Sequence, residues 1–169
     1  MSERTVRHAR VDWEGSLEEG RGQLTLATSE SLVGMPLTWE ARTTPAPGQT
    51  SPEELLAAAL ASCFAMALAA ELPDVPEGGF EIESQAELEP RDDGVRIASI
   101  GLTVSARSDR VASGALQRAA ERARRRCAIT NTLERGLPLR VEVRTDPLPP
   151  TEDRAIADKL VSPNDAPPA

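Results

Sequence analysis

The sequence predicts an α+β fold, and three observations carry that prediction. Runs with period-two alternation of apolar and polar residues come in adjacent pairs separated by turn residues, the pattern of antiparallel hairpins. Two helical segments lie at separate places between those runs, giving the order β-β-(β)-α-β-β-α-β rather than the regular strand-helix alternation of a doubly wound sheet. The chain has 169 residues, enough for one domain with a single core and too few for two.

The elements follow in order. Thr5 to Trp13 and Gln23 to Thr28 alternate and flank the turn-like segment Gly15 to Gly22, so they read as two hairpin strands. Met35 to Arg42 reads as a third extended segment, and Thr43 to Thr50, rich in Pro and Gly, as a loop. Ser51-Pro52-Glu53-Glu54 then predicts a helix start: Ser at the N-cap, Pro at the first helical position, and Glu54 placed to close a capping box with Ser51. That helix runs through Leu55 to Ala70, apolar on every face, and stops near Leu72-Pro73. A helix of that kind belongs at the centre of a fold. Phe80 to Glu89 and Val95 to Arg107 alternate about the turn Pro90 to Gly94 and form a second hairpin. Asp109 is placed to cap a second helix, in which Val111, Ala115, Ala119, Ala123 and Cys127 recur every four residues. Ala128 to Arg135 reads as one more helical turn, Gly136 as a stop, and Leu137 to Arg144 as a last alternating strand. The domain is expected to span residues 1–146. Residues 147–169 hold six of the 14 prolines and read as an extended or disordered tail, with a short helix from Thr151.

Composition removes several function classes. With 19 basic and 27 acidic side chains the net charge is −8, which repels nucleic-acid backbones and anionic membrane surfaces. Two Trp, two Phe and no Tyr leave no stacking platform for bases. The run Arg122 to Arg126 is a solvated helix face. No phosphate-binding glycine loop occurs. His8, the single histidine, lies in a polar segment far from any nucleophile elbow, so a serine hydrolase is disfavoured. Two cysteines and one histidine do not complete a zinc site, and no metal or organic cofactor is expected. The charged start of the chain has no apolar run of secretory type, and a cytoplasmic location is expected.

The two cysteines must be read singly. The plainer reading of each is a small buried residue. The functional reading is that Cys63 and Cys127 occupy corresponding places on the two helices, with sulfurs facing each other across the packing as a redox pair. Cys63, about twelve residues into its helix, is too far from the N-terminus for the helix dipole to lower its pKa. A thiolate there needs a cation from elsewhere in the chain, and an arginine is the natural candidate.

At this point the chain resembles a known family, the OsmC/Ohr proteins. The resemblance rests on Trp13-Glu14-Gly15 with Gly20-Arg21-Gly22, on the stretch Ser51 to Ala67 centred on Cys63, and on Cys127 to Leu133 before a final strand, about residues 7 to 145. It implies an OsmC-like fold, with antiparallel sheet around two central helices in an intertwined homodimer, and a cysteine-based peroxidase acting on organic hydroperoxides. It implies that Cys63 is the peroxidatic cysteine and Cys127 the resolving one, and that Glu53 pairs with an arginine that holds the thiolate. In the OsmC branch that arginine follows a Trp-x-x-Arg pattern, which Trp39-Glu40-Ala41-Arg42 matches; in the Ohr branch it would be Arg21. Arg42 is the expected one. Two departures stand out: Ala128 where many members have proline, and Ser51 where many have asparagine.

By the same resemblance Cys63 attacks the peroxide to give an alcohol and a sulfenic acid, Cys127 condenses with it to a disulfide, and an external dithiol, such as a lipoyl-type carrier, resets the pair. Arg42, oriented by a bidentate pair with Glu53, is expected to stabilise the thiolate, with Leu60, Phe64 and Met66 as apolar walls. Ten residues of straight helix separate Glu53 from Cys63 by roughly 15 Å. Either the helix bends or starts later, or Glu53 and Arg42 serve the Cys63 of a second subunit. The alternatives to an enzyme are a small-ligand-binding or redox-sensing relative of the same fold and a structural protein with inert thiols.

Overall fold

The computed structural model describes residues 4–44, 47–72, 79–92, 94–106 and 113–144. The expected cap at Asp109 and the proline-rich tail lie outside them. The described elements are strands β1 (Arg10–Glu14), β2 (Arg21–Thr25) and β3 (Met35–Thr38), helices α1 (Trp39–Thr43) and α2 (Pro52–Glu71), strands β4 (Phe80–Arg91) and β5 (Gly94–Ala106), helices α3 (Ser113–Arg126) and α4 (Ala128–Leu133), and strand β6 (Leu139–Arg144).

The mixed α+β class holds, but the strands form two three-stranded sheets. β1-β2-β3 is antiparallel throughout, while in β4-β5-β6 the last strand runs parallel to β5. An all-antiparallel expectation fails at β6 because the chain returns through α3 and α4, which carry it back so that β6 starts alongside Ile100, midway along β5. The third extended segment is also shorter than expected. It gives way at Thr38, whose hydroxyl oxygen accepts from the Ala41 N–H and starts α1, so that Trp39 and Arg42 lie on a helical turn.

Two glycines near the start have a packing reason. A Cβ on Gly22 would come within 2.8 Å of the Trp13 ring, and one on Gly20 within 2.1 Å of the Ser16 carbonyl oxygen and 2.9 Å of that ring. The indole therefore lies where only backbone can pass beneath it. This explains the Trp-Glu-Gly and Gly-Arg-Gly pattern without any catalytic role.

α2 starts as the sequence predicts, with Ser51 Oγ accepting from the Glu54 N–H. The box closes differently from expectation: Glu54 accepts from the Thr50 hydroxyl at 2.7 Å. Long and apolar enough to pass for a membrane span, α2 instead buries Leu60, Phe64 and Leu68 completely. They pack with Ile100, Leu102 and Val104 of β5, with Leu116, Ala119 and Ala123 of α3, and with Leu139 of β6. The expectation that Leu60 and Phe64 form substrate walls is corrected here, because both are core side chains. Met66, on the opposite face of α2, is 69% exposed.

α3 does not continue through Cys127. The backbone turns extended there (φ −68°, ψ 117°), and α4 begins at Ala128 with Cys127 as its N-cap. Asn131 Nδ2 reaches back to the Arg125 carbonyl, satisfying an acceptor that the end of α3 leaves free. The arginine run is more than a solvated face: Arg122 and Arg126 both reach Glu71 at the end of α2, and Arg124 pairs with Glu134. Glu71 is held below the usual carboxylate range chiefly by its hydrogen bond from Arg122.

Candidate active site

α2 carries Cys63 at mid-length, half-buried, and the α3–α4 break carries Cys127, buried. Both are free thiols. Cys127 donates to Cys63 across 3.1 Å between the sulfurs, near enough to bond after a small shift. The sulfurs meet as expected from the helix packing, with one correction: Cys127 is the N-cap residue of α4 and not a member of the α3 face.

The electrostatics of the pair are asymmetric. Burial resists charge on Cys63, but the Ile129 N–H, the Cys127 thiol and the Ala128 N–H all serve its sulfur, and together they bring its pKa below the ordinary thiol value. For Cys127 burial pushes the pKa up, and the neighbouring Cys63 adds to that, against hydrogen bonds from Thr130. Of the two, Cys63 is the more readily ionised. Within one chain, the groups that favour a charged Cys63 are the Cys127 thiol and peptide N–H groups of the α4 turn. Ala128 bears on this directly, since proline at that position has no N–H to offer.

A checkable consequence concerns pH. At any pH near about 8.5, where an ordinary thiol is half protonated, the thiolate fraction of Cys63 is expected to exceed that of an ordinary thiol. Its alkylation rate with iodoacetamide should drop only at lower pH, and a midpoint at or above that of a free thiol would contradict the arrangement. The sign for stability is the same. A thiol with a depressed folded pKa adds stability above its unfolded pKa and loses it as pH falls through the folded one.

A second cluster forms where α1 meets the start of α2. Arg42 Nε and Nη2 approach the same carboxylate oxygen of Glu53, Oε1, at 2.8 and 2.7 Å. The expected two-oxygen fork is therefore not made, and Glu53 Oε2 is buried without a partner. Glu53 is 4% exposed and the Arg42 side chain 32%. The guanidinium also lies 5.6 Å from the centre of the Trp39 ring, one helical turn earlier. Thr38 fixes this corner by donating to Gln49 Oε1 while it caps α1. A cleft of about 690 Å³ opens beside the pair, lined by Arg42, Gln49, Glu53, Ala57, Ala86 and Leu88 among others. Arg21 is elsewhere, exposed on β2 and paired across the sheet with Glu14 and Thr38.

The sequence-predicted residues therefore form two pairs, Cys63 with Cys127 and Arg42 with Glu53. α2 is one continuous helix of 20 residues, so the bend that would bring Glu53 to Cys63 is absent, and ten residues of α2 keep the pairs roughly 15 Å apart along its axis. Sequence reasoning missed the stacking of Arg42 on Trp39, the part played by the Ala128 and Ile129 N–H groups, and Thr130. The spacing Cys127-x-x-Thr130 is a capping pattern with sulfur in place of the usual hydroxyl, and it was the available signal for a helix start at Ala128. Among the described residues no cluster of three or more potential metal ligands occurs.

Comparison with known proteins bears on this arrangement. No curated protein matches the sequence. Among solved structures the fold is similar to the organic hydroperoxide resistance protein OhrB of Bacillus subtilis (21% identity, TM-score 0.60, covering 81% of this chain and 98% of that one). It is similar to an organic hydroperoxide resistance protein from Elizabethkingia anophelis (16%, TM-score 0.65, 86% and 100%). It is equally similar to an OsmC-like protein of unknown function from Vibrio cholerae (18%, TM-score 0.61, 85% and 100%). The family model described as OsmC-like protein matches residues 45–142, which include Glu53, Cys63 and Cys127 and exceed half of the sequence. With that match and a fold shared over nearly the full length of those structures, the chain belongs to the OsmC-like protein family.

Proposed function

We propose that the protein is a thiol peroxidase that reduces organic hydroperoxides to alcohols, with Cys63 as the attacking thiolate and Cys127 as the resolving thiol. The observation that carries this reading is the contact of two free sulfurs at 3.1 Å with opposite pKa displacements. A pair of inert core thiols has no reason to meet at this distance with one member pushed toward ionisation and the other away from it. The Cys63 thiolate attacks a peroxide oxygen, the O–O bond breaks, and the alcohol leaves with a proton. Cys63 is left as a sulfenic acid, which Cys127 converts to a disulfide with loss of water. An external dithiol, of lipoyl type in the expected case, returns both thiols by exchange.

Arg42 and Glu53 enter through a second subunit in this reading. Ala58, Ser62 and Met66 leave an exposed, mostly apolar stripe on α2, the kind of surface that a homodimer covers. Closing it would bring the Arg42–Glu53 pair of one subunit toward Cys63 of the other. Arg42 then stabilises charge on the thiolate and on the departing oxygen, and Ala57, Ala86 and Leu88 in the adjacent cleft take the alkyl part of the substrate. A cytoplasmic setting, where thiol reductants keep such a pair open, completes the reading.

The test is to add one equivalent of cumene hydroperoxide to the reduced protein and weigh the intact chain. A rapid loss of about 2 Da marks the internal disulfide. A slower loss with hydrogen peroxide supports the organic preference. No mass change removes the peroxidase reading in favour of ligand binding at the Arg42 cleft.

A further inference from the structure

The resolving step carries a difficulty that the two cysteines do not remove. Cys127 must ionise to attack the Cys63 sulfenic acid, yet it is 1% exposed and burial pushes its pKa up. Among the described residues no cation offsets this: the groups that favour its charged form both belong to Thr130, its hydroxyl and its N–H.

Thr130 is itself fully buried. Its N–H donates to the Cys127 sulfur at 3.4 Å. Its hydroxyl oxygen makes no complete hydrogen bond in the reduced protein, although it lies against that same sulfur. Two ordinary uses for such a hydroxyl are absent. Thr132, two residues on, bonds back to the carbonyl four residues before it, Ala128 O at 2.9 Å, and Thr130 does not do the same. A capping box would have the hydroxyl accept from the N-cap N–H, but the Cys127 N–H already donates to Ala123 O at 2.8 Å. A buried hydroxyl left without a full partner is an exception that calls for a reason. A neutral thiol is a weak acceptor, whereas a thiolate is a strong one, so this contact is completed only when Cys127 loses its proton.

We propose that Thr130 is a positioning residue for the resolving step, its buried hydroxyl donating to the Cys127 sulfur as that sulfur becomes a thiolate and attacks Cys63. The inference rests on the peroxidase reading. In the step, the Cys127 sulfur forms a bond to the Cys63 sulfur and the S–O bond breaks. The hydroxide that leaves takes up the proton Cys127 gave, so the products are a disulfide and one water. The oxidising equivalents come from the hydroperoxide that made the sulfenic acid. Thr130 keeps its own proton throughout.

The experiment is rapid-quench mass spectrometry of the full chain with one equivalent of cumene hydroperoxide, on the native sequence, Thr130→Val and Thr130→Ser. Sulfenate formation adds about 16 Da, and disulfide closure then leaves the chain about 2 Da below its starting mass. In Thr130→Val the first phase is expected at the native rate and the second about tenfold or more slower, the scale of a hydrogen bond to a charged group. Thr130→Ser, which keeps the hydroxyl, restores closure to near the native rate. The melting temperature of reduced Thr130→Val should be unchanged or higher, because the hydroxyl it loses has no full partner. Closure at the native rate in Thr130→Val, or an equal slowing of both phases, overturns the proposal. A native chain that forms no sulfenate at all overturns the peroxidase reading, a separate outcome seen before any variant is compared.

Discussion

Cys63→Ser is expected to lower hydroperoxide reduction by about three orders of magnitude or more, leaving only the background. The size follows from what the site does to sulfur. Burial, which opposes charge at position 63, is outweighed by the Ile129 N–H, the Cys127 thiol and the Ala128 N–H, and those groups bring its pKa below the ordinary thiol value. The same donors leave an alcohol almost wholly protonated, because its pKa starts many units higher. Serine is smaller than cysteine by little, and position 63 is only half-buried, so the variant should fold with a melting temperature close to that of the native chain. Cys127→Ser behaves differently. It is expected to reduce the first equivalent of peroxide and then to accumulate Cys63 as sulfenic and overoxidised forms. Steady-state turnover with dithiothreitol measures the first variant, and intact mass after excess peroxide the second. Activity in Cys63→Ser above a tenth of native would refute the assignment of the attacking sulfur.

Arg42→Leu should cost about 3 kcal/mol of stability, the low end for removing one partner of a buried ion pair. Glu53 is 4% exposed, and its Oε1 takes both close contacts from Arg42 while Oε2 has none. Without the guanidinium a carboxylate stays buried with no counter-charge, softened only by its position in the first turn of α2. The prediction separates burial from loss of contact. Arg42→Leu combined with Glu53→Leu removes both charges and should recover most of the loss, since apolar groups replace the pair without an orphan. Arg42→Lys keeps a charge but gives up the paired N–H groups and the flat face held over Trp39. It should regain part of the stability and little of the activity. Urea unfolding of the three variants gives the values. A loss below about 0.5 kcal/mol in Arg42→Leu would mean that Glu53 is hydrated in solution and that the pair behaves as an exposed one.

Much of the fold was legible because local rules coincided with the final packing. Ser51-Pro52 starts α2 where it predicts, and alternation from Phe80 and from Val95 marks the long β4–β5 hairpin. Local rules failed where a tertiary contact sets the backbone. Met35 to Arg42 reads as one extended run, yet Thr38 caps a helical turn that holds Arg42 against Glu53. Cys127 reads as the last member of the α3 pattern, yet the chain breaks there, so that the thiol faces Cys63 and Ala128 opens a separate turn of helix. Nothing in a period-four pattern distinguishes a helix that continues from one that stops for a single residue and resumes.

The family resemblance implied that Glu53 pairs with Arg42; what the sequence determined by itself is the inventory and its rough placement: an α+β domain, an apolar central helix carrying Cys63, and a second cysteine one helix later. Those are properties of composition, period and spacing, which survive without knowledge of where segments meet. Only the tertiary structure decided that the sulfurs touch while the charged pair lies about a half-length of α2 away. It alone turned β6 parallel to β5, set peptide N–H groups rather than an arginine on the Cys63 sulfur within one chain, and left the Thr130 hydroxyl waiting beside Cys127. The physical reason is that hydrogen bonds and burial depend on distance in space, and each of these contacts joins elements whose separation along the chain, or whose direction of approach, no local pattern encodes.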